Sequence, residues 1–262
     1  NIDLVCLVFD IIIHFIQCQE DSRGRDYVCA TLSVNYIIKQ FIEIETDIDE
    51  NKKLLIQSKA LHLLRTYVAY PMNQADILTI FNICTEYIGE GSYWHLTGNS
   101  LFILLTFLQQ YKDFQEYVLE HPEFAMKIEK FAYSQNVEEI IHTLQILRFF
   151  IANNIEISPS FFNNFLTLLF HNDRSVCSAA MDALSDMLSP DKIHYVIQLI
   201  ESSFYDKLER IFSTQSYDIK YKAVEIASVL LKQATHILSD YIFLKNRYNI
   251  LHCYFLFVEL DD

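Results

Sequence analysis

Val176-Cys177-Ser178-Ala179-Ala180-Met181-Asp182-Ala183-Leu184-Ser185-Asp186-Met187-Leu188 reads as one helix with a single apolar face. Val176, Ala180, Leu184 and Leu188 are four apart, and Ala183 and Met187 fill the positions between them. At 3.6 residues per turn, all six side chains share one side of the helix. The same set occurs at Ile56, Ala60, Leu64 and Val68, with Leu63 and Tyr67 between. It returns at Leu96, Ser100, Leu104 and Leu108 with Ile103 and Phe107, and at Ile219, Ala223, Ala227 and Leu231 with Ile226 and Leu230. One helix face repeated at intervals near forty residues is the sequence signature of a helical solenoid. Leu104 and Leu184, central in their stripes, are therefore expected to be buried.

Composition supports long helices joined by short polar turns. The 262 residues include only four glycines and four prolines, far below ordinary usage, which argues against a chain of hairpins. Apolar residues make up 52%, so the chain is not disordered. Net charge is −14, and splitting the chain at residue 131 leaves ten bases and eighteen acids before it, ten and sixteen after it. With no basic half to meet phosphates, binding to nucleic acid or to anionic membrane surfaces is disfavoured.

About a dozen helices are expected. A first pair covers 2–19 and 27–44, and an acidic joint follows at 46–51. Repeat helices run over 52–70, 93–111, 136–153, 173–189 and 217–235, capped by Asn51, Ser92, Asn136, Asn172 and Ser216, with Glu139 completing a capping box after Asn136. Partner helices fall near 74–88, 113–132, 159–171 and 191–213, the last broken at Ser202-Ser203. Pro71, Pro122, Pro159 and Pro190 lie at joints. With no linker or low-complexity tract, 1–262 reads as one solenoid: degenerate N-terminal helices over 1–49, the clearest repeats over 50–235 and a C-terminal helix over 236–262. Residues 2–18 and 241–260 are apolar, but Asp3, Asp10 and His14 in the first and Lys245, Asn246, Arg247 and His252 in the second argue against membrane spans. A first helix apolar on all sides, in a chain starting at Asn1, reads as the end of a fragment whose neighbouring repeat is missing.

Units of about forty residues with this pattern resemble the armadillo and HEAT repeat families, with no particular member indicated. Phe165-Leu166-Thr167-Leu168-Leu169 followed by Ala179–Leu188 is similar to consecutive armadillo helices. The resemblance covers roughly residues 50–235. It implies an all-α, right-handed α-solenoid of about six armadillo/HEAT-like repeats, in which the last helix of each unit lines a concave groove. In the nuclear-import adaptors of that family, a Trp and an Asn four residues apart recur in the groove and clamp a peptide. Carried over by register, those positions hold His62 and Thr66, Phe102 and Thr106, His142 and Ile146, Asp182 and Asp186, and Glu225 and Val229. None is a Trp–Asn pair, and the single tryptophan, Trp94, faces Gly98 one turn on. The candidate partner-binding groove is therefore His62, Thr66, Phe102, Thr106, His142, Asp182, Asp186 and Glu225. Its acids favour a partner with basic residues, and Phe102 and Phe149 offer apolar anchors.

No catalytic constellation emerges. Gly89-Glu90-Gly91 lacks the order of a phosphate loop, and there is no G-x-S-x-G or H-E-x-x-H. Asp10, His14 and Cys18 share one helix face, but a single helix supplies poor tetrahedral geometry, and no metal or cofactor is assigned. Cys6, Cys18, Cys29, Cys84, Cys177 and Cys253 contain no C-x-x-C and read as small buried hydrophobes in a reducing, intracellular setting, cytoplasmic or nuclear. The sequence thus points to a non-enzymatic scaffold or adaptor for a protein or peptide. The alternatives are a regulatory or assembly subunit docking, or self-associating, through its terminal helices, and, more remotely, an all-α enzyme.

Overall fold

The computed structural model describes residues 2–18, 27–28, 31–43, 49–90, 94–189, 192–202 and 204–237. Among them the regular structure is helical throughout. The chain divides into two compact units, 1–120 and 121–262.

In the first unit, α1 (Ile2–Cys18) precedes a short α2 (Val34–Ile37) that runs into a π-helical turn, Ile38–Ile42. Then come α3 (Glu50–Tyr67), α4 (Gln74–Glu90), α5 (Trp94–Gln110) and α6 (Lys112–Leu119). α3 packs between α1 and α5, and α4 lies against α5. The repeated stripe forms the seam of this packing. Ala60, Leu63, Leu64, Val68, Ile103 and Phe107 are fully buried, and Leu104 is 1% exposed.

The second unit contains α7 (Glu123–Glu129), which continues as a 3-10 turn to Tyr133, then α8 (Val137–Ala152), α9 (Pro159–Phe165), α10 (Arg174–Met187), α11 (Ile193–Glu201), α12 (Phe204–Thr214) and α13 (Tyr217–Ile237). α10 packs against α8 and also against α13. Val176, Ala180 and Leu184 are fully buried, as are Ile219, Ala223 and Leu230. Ala227 is only half-buried, so the stripe weakens toward the end of α13.

Several boundaries differ from the sequence expectation for local chemical reasons. The N-cap of α3 is Asp49, whose carboxylate accepts from the Lys52 N–H, rather than Asn51; Asp173 rather than Asn172 caps α10. Asn136 does cap α8, but the capping box is absent: Glu139 accepts instead from the Ser134 hydroxyl at 2.6 Å. The expected helix 113–132 breaks at Glu120–Pro122, and 159–171 breaks after Phe165, where Thr167 bonds back to the Asn164 carbonyl. The break near Ser202 is present. Ser92, the Leu231 side chain, Cys29, Cys253 and residues 238–262 of the expected C-terminal helix over 236–262 lie outside the described residues, and residues 236–237 belong to α13.

With so few glycines, α8 ends on an asparagine. Asn154 adopts φ 62°, and the N–H groups of Asn154 and Ile155 bond to the carbonyls of Ile151 and Phe150 at 3.1 and 3.0 Å. This is a Schellman motif, with Asn as the left-handed residue. Tyrosines tie joints to positions about forty residues away. The Tyr111 hydroxyl accepts from the Met72 N–H at 2.9 Å and lies 3.2 Å from the Tyr70 carbonyl, while Tyr195 accepts from the Ile157 N–H at 3.1 Å. Among the described residues no helix is long and apolar enough to cross a membrane.

Candidate protein-interaction face

On the second unit the face opposite the buried stripe is built from α8, α10 and α13, and charged side chains lace it together. Arg148 projects from α8 to α10, where its Nε donates to Asp186 Oδ2 at 2.6 Å and its Nη1 lies 3.7 Å from Asp182 Oδ2. From the other side, Lys222 on α13 pairs with Asp182 and donates to the Ser178 hydroxyl at 2.9 Å. Lys192 adds a bond to the Asp186 carbonyl at 3.3 Å, near the exposed end of α10. Asp182 and Asp186 sit one turn apart on α10, so a cation from each flanking helix reaches the same row. All four ionic side chains are about one-third exposed. Water still screens them, and each pair contributes modestly.

Asp182 and Asp186 were expected to present free negative charge. The structure has both engaged, with two cations against two anions. Glu225 differs: it occupies the same register on α13, is exposed, and meets no cation among the described residues. One turn to either side, Tyr221 and Val229 are 51% and 37% exposed, and Tyr217 is 60% exposed a turn earlier. The outer face of α13 is thus a stripe of Tyr217, Tyr221, Glu225 and Val229. Sequence reasoning missed both tyrosines, although their four-residue spacing with Glu225 was a readable signal.

In the first unit the candidate positions lie on α3 and α5. The Arg65 guanidinium stacks 3.9 Å from the Phe102 ring centroid, and its Nη1 is 3.4 Å from Asn99 Oδ1. Phe102 is therefore covered on one face by a cation. Thr66 and Thr106 are each only 9% exposed, and their hydroxyls bond to the Leu63 and Phe102 carbonyls of their own helices at 2.6 and 2.9 Å. His62 is half-buried. His142, in the second unit, is 8% exposed, with Nε2 4.0 Å from Glu138. Thr66, Thr106 and His142 were expected to face solvent. Burial withdraws all three because the repeated apolar face is wider than the six-position stripe that defined the register. Phe149 is half-buried and packs edge-on against Phe150 at 5.7 Å.

The remaining polar groups offer little chemistry. Among the described residues no group of three or more His, Cys, Asp or Glu is placed to hold a metal ion. Asp10 is held by Lys59 at 2.5 Å, and Cys18 Sγ contacts His14 Nε2 at 3.5 Å. Cys84 is buried, and desolvation pushes its thiol up to about 12, partly offset by Ser100, so it is inert as a nucleophile. Cys18, expected to be buried, is exposed.

No protein-family model matches the sequence, and no curated protein does. Solved structures do match. One, described as computationally designed armadillo repeat proteins for modular peptide recognition, superposes with a TM-score of 0.62 over 84% of this chain and 91% of its own, at 11% identity. The fold is an armadillo-like helical repeat. A second designed armadillo repeat protein gives a TM-score of 0.60 at 10% identity, covering 86% of this chain and 92% of its own. At such identities the likeness is one of backbone, and side chains must be argued from this chain alone.

Proposed function

We propose that this chain is a non-enzymatic scaffold or adaptor that holds a segment of a protein partner across α8, α10 and α13, with basic residues of that segment directed at Glu225. The observation that carries this reading is the state of Glu225. Asp182 and Asp186, earlier in the row, each hold a cation, whereas Glu225 stays exposed between Tyr221 and Val229. An arginine or lysine from a partner completes the row there, with the Tyr221 ring as a stacking surface. The designed neighbour described as made for modular peptide recognition supports a peptide-binding use of such a backbone. A net charge of −14 favours a basic protein segment over nucleic acid. Free thiols at Cys6, Cys18, Cys84 and Cys177 accord with a reducing compartment.

A photo-crosslinking residue at position 225, compared with one at Met126 on α7, tests the reading in cells. The proposal expects one protein to be captured from position 225 and not from 126. Equal capture from both would contradict it.

A second reading, an assembly subunit that docks through its first helix, is favoured by one observation. Leu4, Leu7, Val8, Ile11 and Phe15 of α1 are all more than 40% exposed.

A further inference from the structure

α10 and α13 are bridged rung by rung. Arg174 on α10 holds Asp218 on α13, with Nη2 at 2.7 Å and Nε at 3.1 Å. One turn on, Lys222 of α13 reaches back to the Ser178 hydroxyl at 2.9 Å and to Asp182 on α10. The next turn has no rung. There Asp186 takes Arg148 from α8 at 2.6 Å, and exposed Glu225 meets no cation among the described residues. Lys192 serves the Asp186 carbonyl, so it answers the end of α10 rather than the carboxylates. The two cations near Asp182 are unequal. Arg148 makes its close contact with Asp186 and stands 3.7 Å from Asp182, so Asp182 depends on Lys222. The Lys222 side chain is 31% exposed. An ammonium on a flexible stem pairs weakly at such exposure and exchanges readily, whereas the Arg148 fork is fixed across two carboxylates. Lys222 and Glu225 are also three residues apart on one helix, within reach of each other.

We infer that Lys222 is the specificity-determining residue of this face, an internal competitor for the basic side chains of the partner. The inference rests on the proposed binding of a basic segment at Glu225, and sets how many basic side chains the face accepts. A single one binds at Glu225 and leaves Lys222 on Asp182. A second, directed at Asp182, must displace Lys222. The displaced ammonium then turns to Glu225, where it opposes the first. The face therefore gains little from a second basic residue while Lys222 carries its charge. With that charge removed, Asp182 and Glu225 become two acids on adjacent helices, roughly 10 Å apart. An extended segment covers that distance in about three residues. The neutralised face thus favours two basic residues spaced three apart.

Two fluorescein-labelled Gly/Ser peptides test the inference by fluorescence polarisation at about 20 mM salt, where exposed charges are little screened. One carries a single arginine, the other two arginines three residues apart. On the native chain the second arginine should tighten binding by no more than the roughly twofold statistical gain. On Lys222→Gln it should tighten binding by about fivefold or more, as for a new, partly exposed ion pair. Lys222→Met serves if circular dichroism shows that the Gln variant fails to fold. In Lys222→Gln/Asp182→Asn the gain should fall back to the native value. Lys220→Gln removes a charge two residues away on another side of α13 and should behave as the native chain does. A gain on Lys222→Gln no larger than on the native chain or on Lys220→Gln, or one that survives Asp182→Asn, would overturn the inference and leave the reading of Glu225 standing. Single-arginine binding unchanged by Glu225→Gln, or no binding of either peptide, would overturn both.

Discussion

Arg148 and Asp186 join α8 to α10 through a 2.6 Å hydrogen bond between Nε and Oδ2, in a row where Lys222 joins α10 to α13 through Asp182. The charges that resemble a ligand site thus also brace adjacent repeats. A double-mutant cycle with Arg148→Met and Asp186→Asn should give a coupling of about 0.5–1 kcal/mol by urea denaturation, as for a partly exposed pair. The coupling should shrink in 1 M salt, because the Debye length falls to about 3 Å.

Leu104 and Leu184 are 1% and 0% exposed. Their truncation to Ala should cost about 2–5 kcal/mol each, combining lost transfer energy with a cavity that tightly packed neighbours fill only partly. Denaturant midpoints measured with unchanged m-values would establish this.

Glu139 is 2% exposed; burial raises its carboxyl above the ordinary value, opposed by the Ser134 hydroxyl and reinforced by Glu138. A raised folded-state value means that the charged form is the strained one. The penalty is absent below the ordinary carboxylate range and fully present above the folded value. Glu139→Gln should therefore raise Tm at pH 7, with the gain vanishing below about pH 4. Thermal melts across pH 3–8 would show it.

The Tyr111 hydroxyl serves the Met72 N–H at the Pro71 joint. Tyr111→Phe should cost about 1–2 kcal/mol by leaving that donor unpaired, with hydrogen exchange at Met72 accelerated more than at Leu104.

The helices were legible because each repeat must bury the same face, so Ile56, Val176 and Ile219 recur at readable intervals. Breaks such as Glu120–Pro122 were less so, because a helix and a helix followed by a tight turn bury similar patterns. The candidate interaction face was read least well. Register placed Asp182, Asp186 and Glu225 on it, but pairing with Arg148 and Lys222 depends on long, flexible side chains that no spacing encodes. Thr66 and Thr106 illustrate the opposite failure: polar residues at groove register that their own helix backbones satisfy. Tyr217 and Tyr221 went unread although they stand eight and four residues before Glu225, because tyrosine is common in this chain and its abundance masked that spacing.

The central claim, that the face of α8, α10 and α13 binds a basic protein segment, is tested most directly by selecting a random peptide library on the native chain. The affinity of the enriched peptides is then measured on Tyr221→Ala/Glu225→Lys, two exposed positions whose replacement spares the core. The account predicts enriched peptides rich in Arg or Lys, whose binding weakens at least roughly tenfold in the double variant and falls as salt rises. Enriched peptides that bind the double variant as tightly as the native chain would contradict it.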